Sequence, residues 1–322
     1  MTIFSQIDLF RALGDPTRLR VVHLLREMEL AVGEIAVVVG QSQPRVSRHI
    51  RILVDSGLVE RRREGSWVFL TLRRDETERA LGRLLDVAPR DPAELLWIEA
   101  DRARLAAIRA ERARAAEDYF ATHAEHWDAI RSLHAPEAEV EQAMAAMLAD
   151  TPLGALLDIG TGTGRMATLF ADKASQVMAV DRSPDMLRLA RAKTPETLAE
   201  KVRFQIGDFY DLPVDDASVD TALLHQVLHY AQEPERVIAD VARVLAEDGR
   251  LLIADFAAHE REELRQLNAH ARLGFSDAQI ESWYRAAGID FIEARALEGG
   301  ELTVKLWLGR RRGARIRQIK SK

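Results

Sequence analysis

The chain has 322 residues, 47% of them apolar and 30% charged, with a formal charge of −6 at pH 7, which suits two globular domains with separate cores. It contains no cysteine, which excludes disulfides, thiolate metal sites, iron–sulfur clusters and cysteine nucleophiles. No apolar run approaches the roughly 20 residues needed to span a bilayer, and "MTIFSQIDLFRALGDP" has no signal-peptide layout, so no membrane partner and a cytoplasmic location are expected.

Asp15 as N-cap and Pro16 at the first helical position predict a helix start, and Leu19, Val22, Leu25 and Met28 recur on one stripe behind it. "ELAVGEIA" then reads as a turn into a short helix, "EIAVVV", that Gly40 closes, with Glu29 and Glu34 as solvated flanks. In "QSQPRVSRHIRILVDSGLV" the residues Val46, Ile50, Leu53 and Val54 mark the buried side of an amphipathic helix bounded by Pro44 and Gly57. Gln41, Ser42, Gln43, Arg45, Ser47, Arg48, His49 and Arg51 occupy its other side and N-terminal turn, as groups suited to base edges and phosphates. "LVERRREGSWVFLTL" predicts a hairpin around Glu64-Gly65-Ser66.

From Gln41 to Arg74 the bases Arg45, Arg48, Arg51, Arg61, Arg62, Arg63, Arg73 and Arg74 face only Asp55, Glu60 and Glu64. Such a block is either a solvated face or the footprint of an anionic partner, nucleic acid first. A short helix, a turn, a polar-faced helix and a basic hairpin make an α+β winged helix-turn-helix. Its second helix would enter the major groove, and its wing (Arg61, Arg62, Arg63, Ser66) would follow the backbone or minor groove of double-stranded DNA.

"LGDPTRLRVVHLL" and "SQPRVSRHIRILVDSGLVERRREGSWVFL" resemble the ArsR/SmtB family of bacterial repressors, over about the first 90 residues. The resemblance implies a homodimer on a palindromic operator, with Phe4–Leu13 and a helix from about Asp75 to Val87 at the dimer interface. The family's metal sites do not carry over. Its cysteine pair falls on Ala31 and Gly33, and "RRDETERALGRLLD" has no histidine. Asp75, Glu76 and Glu78 read more simply as a solvated turn than as a carboxylate site, so no metal is expected.

Residues 91–149 are rich in Ala, Arg and Glu at helical acid–base spacing, and 91–114 read as a helical linker between domains. Tyr119, Phe120, Trp127, Ile130 and Leu133 add an aromatic and aliphatic stripe, either core or a lid over a ligand site.

"GALLDIGTGTGRMATLF" predicts a strand, a glycine turn and a helix, in which Gly160, Gly162 and Gly164 let the backbone approach a ligand at the helix N-terminus. A dinucleotide fingerprint would place its third glycine where Arg165 stands, so the spacing here is G-x-G-x-G, preceded by Asp158. Asp181 ends a second strand about 20 residues after the first glycine, where a carboxylate accepts ribose hydroxyls. A third strand ends in Asp208-Phe209, a fourth runs into "HQVLHY", and a fifth is "GRLLIADF". "IDFIEARAL" and "ELTVKLWLG" close the region without a helix between them. That layout predicts a doubly wound α/β sheet ending in an antiparallel hairpin.

The ordered set Asp158/Gly160/Gly162/Gly164, Asp181 and Asp208 resembles class I S-adenosylmethionine-dependent methyltransferases, over roughly residues 115–309. By that resemblance Asp158 and the glycines flank the amino-acid part of S-adenosylmethionine or S-adenosylhomocysteine. Asp181, with Arg182 beside it, holds the ribose, Asp208 the adenine amine, and Phe209 packs near the ring. "YFATHAEHWDAIRSLH", with Tyr119 and Trp127, looks like the family's N-terminal lid. His225, which is also expected beside the nucleoside, Gln226, His229 and Tyr230 follow strand four, where acceptor contacts lie, and Asp255 and His259 follow strand five. Each is either a general base or simply a polar group at the pocket mouth, since methyl transfer can proceed by positioning alone. Arsenite methyltransferases also resemble this domain, but their chemistry needs cysteines. The basic tail, residues 310–322, reads as a solvated end or an auxiliary DNA contact.

Two functions fit. One is a DNA-binding regulator, a repressor by family resemblance, that senses one of the two nucleosides and so controls methyl-cycle genes through helices between Asp91 and His134. The other is a working methyltransferase on a small molecule with an attached DNA-binding domain.

Overall fold

The structure is a computed structural model that describes residues 6–64, 67–73, 76–88, 92–123, 137–198, 200–298 and 300–313. The chain divides into two compact units, Met1–Ala115 and Ala116–Lys322.

The first unit runs α1 (Gln6–Leu13), α2 (Pro16–Glu27), β1 (Leu30–Ala31), α3 (Val32–Val39), α4 (Gln43–Asp55), β2 (Val59–Glu64), β3 (Trp67–Leu72), α5 (Glu76–Val87) and the start of α6 (Pro92–His123). Asp15 caps α2 by accepting from Arg18 N at 3.0 Å, and Gly40 ends α3 at φ 67°. Val22, Leu25 and Met28 are buried with Val46, Ile50 and Leu53 of α4 in a single core. The hairpin pairs Glu64 with Trp67, and its tip, Gly65 and Ser66, lies outside the described residues.

Two expectations change here. "ELAVGEIA" holds a two-residue strand, Leu30 and Ala31 pairing antiparallel with Leu70 and Phe69, because both side chains are apolar and buried against the hairpin. Glu34 is not a solvated flank: its Oε2 accepts from Ala31 N at 2.7 Å and caps α3. The helical segment expected between the domains also packs on the winged-helix core. Leu105 is 2% exposed there, Asp101 is buried, and Arg104 donates to the carbonyl of Val38 at 2.8 Å. High alanine and alternating charge concealed that apolar contact.

The second unit takes in the end of α6 and continues with α7 (Glu137–Met147), β4 (Ala155–Ile159), α8 (Arg165–Phe170), β5 (Gln176–Asp181), α9 (Pro184–Lys193), β6 (Val202–Ile206), β7 (Val219–His225), α10 (Pro234–Val244), β8 (Leu245–Phe256), α11 (Glu263–Leu267), α12 (Asp277–Ala286), β9 (Ile289–Leu297) and β10 (Val304–Arg311). Its seven-stranded sheet has the order β6-β5-β4-β7-β8-β10-β9. Strands β4 to β8 are parallel, while β10 lies antiparallel to both β8 and β9. Alternate residues feed two cores: Leu156, Leu223 and Leu252 face one, and Leu157, Leu224 and Ile253 the other. That burial on both faces fixes the register of the parallel strands, and so brings the carboxyl ends of β4, β5, β7 and β8 to one edge.

Candidate functional site

In the first unit α4 presents Ser42, Gln43, Arg45, Arg48 and Arg51 to solvent, with Ser47 half-buried. Gln41 and His49 turn inward instead. Gln41 Nε2 donates to Thr17 Oγ1 at 2.9 Å, and His49 Nδ1 lies 3.5 Å from the Asp15 carboxylate. Both side chains, half-buried, thus lie beside the start of α2. Arg61, which is exposed, sits on β2 in register with Leu70, and Arg62 and Arg63 follow it opposite Phe69 and Val68; Ser66 lies outside the described residues. An exposed face of arginine, serine and glutamine beside a two-stranded ribbon can meet a duplex groove and its phosphates.

In the second unit the chain leaves β4 through a turn in which Gly160, Gly162 and Gly164 have φ of 66°, 54° and 81°. Gly160 is required twice over, since a Cβ there would lie 2.2 Å from Val227 Cγ2. Asp158 is 1% exposed; its Oδ2 accepts from Thr161 Oγ1 at 2.5 Å and from Ala167 N at 3.0 Å. It therefore braces the turn onto α8, a positioning role next to the ligand-flanking one expected. Arg165, in the place of a third fingerprint glycine, forms a two-pronged pair with Glu141 of α7 at 2.6 and 2.7 Å.

Asp181, at the end of β5, accepts from Gly162 N through Oδ2 and from Ser183 N through Oδ1, both at 2.8 Å. Burial pushes its carboxyl above the ordinary value of 3.8, and the backbone donors of Ser183, Gly162 and Arg182 offset part of that rise. Arg182 is exposed beside it. Asp208 accepts from Tyr210 N at 2.9 Å, and Phe209 meets Tyr210 edge-on at 4.7 Å. Burial pushes the Tyr210 phenol up to about 12, and its oxygen accepts from Glu233 N at 3.0 Å. Tyr119 lies on α6, whereas Trp127 and most of the expected lid lie outside the described residues. These residues fit a nucleoside-bearing ligand. The glycine turn leads the backbone into the start of α8, and the partly buried Asp181 carboxylate at the next strand end can receive paired hydroxyls.

His225 ends β7 and is buried, and Gln226 after it adopts the left-handed region at φ 50°. A non-glycine residue held there is strained, and the strain redirects the chain toward His229. His229 is 2% exposed and its Nδ1 lies 2.8 Å from Asp255 Oδ1, while its backbone N donates to Asp255 Oδ2 at 3.1 Å. Asp255 is fully buried and also accepts from Phe256 N at 2.8 Å. Tyr230 and Phe256 pack against the imidazole at 4.0 and 4.9 Å between ring centroids. His259 receives a hydrogen bond from Arg261 N at 3.2 Å. No local pattern pairs His229 with Asp255, and none marks His270, which packs on His229 at 4.2 Å, or Arg272, whose N–H donates to the His229 carbonyl at 2.9 Å. The available signal was the adjacency of strands four and five, which sets residues just past one beside residues ending the other. Among the described residues no three His, Asp or Glu side chains could hold a metal ion, and no helix is long and apolar enough to cross a membrane.

Two family profiles match: "Bacterial regulatory protein, arsR family" over residues 15–61, and "Methyltransferase domain" over residues 157–253. The arsenical resistance operon repressor of Escherichia coli is 44% identical over 73 residues, covering 22% of this chain and 62% of that protein. An uncharacterized methyltransferase of Mycobacterium bovis is 42% identical over 96 residues, covering 30% of this chain and 37% of that protein. The chain thus spans little more than a third of the methyltransferase relative it matches. An arsenite methyltransferase of Halobacterium salinarum is 37% identical over 117 residues, covering 35% of this chain and 29% of that protein. Among solved structures, a chain from the complex between the Haloferax volcanii Trm112 methyltransferase activator and a methyltransferase aligns at TM-score 0.53 and 23% identity, over 62% of this chain and 98% of that one. The Burkholderia thailandensis 1,6-didemethyltoxoflavin-N1-methyltransferase, solved with bound 1,6-didemethyltoxoflavin and S-adenosylhomocysteine, aligns at TM-score 0.50 and 21% identity, over 63% of this chain and 90% of that one. Both share the fold.

Proposed function

We propose that this chain, which joins an ArsR-family helix-turn-helix to a class I methyltransferase domain, is a homodimeric, cytoplasmic transcriptional regulator whose effector is S-adenosylmethionine or S-adenosylhomocysteine. DNA contact is assigned to the exposed side of α4 and the β2–β3 wing, and effector contact to the glycine turn, Asp181 and Asp208. Methyl-cycle genes are the target class this effector suggests, and repression the sign that ArsR kinship suggests. The homodimer is supported by apolar side chains left in solvent on α1 and α5, among them Phe10 at 61% and Val87 at 79% exposure.

The observation that carries the sensing role is the anchoring of α6 in the DNA-binding unit. Asp101 of α6 holds Arg20 of α2, and Arg104 holds the end of α3, so a displacement of α6 acts on the two helices that support α4. Half-sites one helical turn apart make operator affinity sensitive to such a displacement. A switch needs the effector to favour one state, with coupling of about 1–3 kcal/mol. Calorimetric titration of each nucleoside into the protein, alone and on a selected operator duplex, tests this. Unequal affinities with and without DNA are expected, and equal affinities contradict sensing.

A second reading, methyl transfer by the same domain, is favoured by one observation, the buried His229–Asp255 pair.

A further inference from the structure

The imidazole of His229 has one nitrogen committed and one without a partner. Nδ1 faces Asp255 Oδ1 at 2.8 Å, whereas Nε2 is buried and makes no hydrogen bond. Asp255 accepts at both oxygens, also taking the N–H groups of His229 and Phe256, so it receives the Nδ1 proton and leaves the lone pair on Nε2. The backbone of His229 is fixed independently, its carbonyl accepting from Arg272 N at 2.9 Å. Among the described residues no three metal-ligating side chains cluster.

The pair stands at the carboxyl ends of β7 and β8, on the sheet edge that also carries the glycine turn after β4 and Asp181 after β5. We infer that His229 is the general base of a methyl transfer to a small, uncharged hydroxyl or N–H compound, with Asp255 positioning the imidazole. The inference rests on the nucleoside-binding part of the function proposed above. Its acceptor class follows from the site. A base is of use only to a nucleophile that must lose a proton, and the rings of Tyr230, Phe256 and His270 around the imidazole favour an uncharged partner over a charged one. In the step, the acceptor's oxygen or nitrogen forms a bond to the methyl carbon of the sulfonium donor, and the carbon–sulfur bond breaks with its electron pair going to sulfur. The acceptor's proton passes to His229 Nε2, which releases it to water after the products leave.

The test has three readouts on the full-length protein. In 15N-histidine-labelled wild type, two-bond nitrogen–proton spectra are expected to show His229 protonated at Nδ1 and bare at Nε2; the opposite tautomer overturns the proposal. Transfer of label from methyl-labelled S-adenosylmethionine into a deproteinised host-cell extract is expected to run for multiple turnovers. His229→Asn, which keeps a donor toward Asp255, is expected to lower that rate at least about 100-fold, with KM for the donor within about twofold. No labelled product from wild type, or an unchanged rate in the variant, overturns the proposal. Thermal shift by S-adenosylhomocysteine, measured in both proteins, separates the two ideas. A shift without turnover refutes only the base, whereas no shift in wild type refutes the nucleoside site itself.

Discussion

Arg20 and Asp101 form a two-pronged ion pair between α2 and α6, Nε to Oδ2 at 2.7 Å and Nη2 to Oδ1 at 2.6 Å, with the Asp101 side chain 5% exposed. Removing one partner strands the other charge. Asp101→Ala is expected to destabilise the first unit by about 3 kcal/mol, read as a lower urea midpoint at unchanged slope. The paired change Arg20→Met with Asp101→Leu is expected to restore most of that stability, since a packed apolar pair replaces a buried ionic one at little cost. Coupling between nucleoside and DNA should still be weakened in the double variant. Full coupling there would show that the pair transmits nothing.

Gly160 tests the glycine turn. Its φ of 66° and the 2.2 Å approach of a Cβ to Val227 Cγ2 predict that Gly160→Ala costs about 2–4 kcal/mol, combining overpacking with backbone strain. Adding Val227→Ala should recover the overpacking part alone. Full recovery in urea unfolding would mean that the positive φ carries no cost.

Much of this was legible in the sequence because local signals and tertiary demands agree. Asp15-Pro16 before an apolar stripe, Gly40 after one, and three glycines between a strand and a helix each have one cheap conformation. What the sequence concealed depends on packing between distant segments. The α6 contacts join residues 81 and 66 positions apart, and no local pattern announces Arg20 with Asp101 or Arg104 with Val38. His229 and Asp255 are 26 positions apart and meet only because β7 and β8 are neighbours in parallel register. Gln41 and His49 carry the chemistry of DNA contacts, and tertiary packing also sets them beside Thr17 and Asp15.

That difference gives a prediction for DNA. Arg48→Ala, and separately Arg45→Ala, are expected to weaken operator binding by about 1–3 kcal/mol while leaving stability unchanged, because both side chains are exposed on α4. Gln41→Ala should instead act mainly on stability, through the lost bond to Thr17. Arg61→Ala should reduce the slope of log affinity against log salt by about 1, as expected for a phosphate contact. Fluorescence anisotropy across a salt series checks the three arginine variants, and urea unfolding checks Gln41→Ala.

Asp181 supplies a pH dependence whose sign is fixed. Burial raises its carboxyl above 3.8, so the folded chain holds this proton to higher pH than the unfolded chain does. Its contribution to stability is therefore greatest below 3.8 and falls as pH rises through the raised value. Nucleoside binding runs the other way, since ribose hydroxyls donate to the ionised carboxylate. S-adenosylhomocysteine affinity is expected to fall on acidification with a midpoint above 3.8, and Asp181→Asn to flatten that step. Asp181→Ala, which removes the acceptor, should weaken binding at least about 100-fold at neutral pH. Calorimetry at several pH values decides it; a midpoint at or below 3.8 would contradict the assignment.

The most direct measurement is operator affinity by anisotropy at fixed salt, titrated separately with S-adenosylmethionine and S-adenosylhomocysteine, for wild type and Asp181→Ala. At least one nucleoside is expected to change the wild-type dissociation constant by about 5- to 150-fold, with no change in Asp181→Ala. An operator affinity indifferent to both nucleosides at concentrations that saturate the wild-type protein would contradict the account.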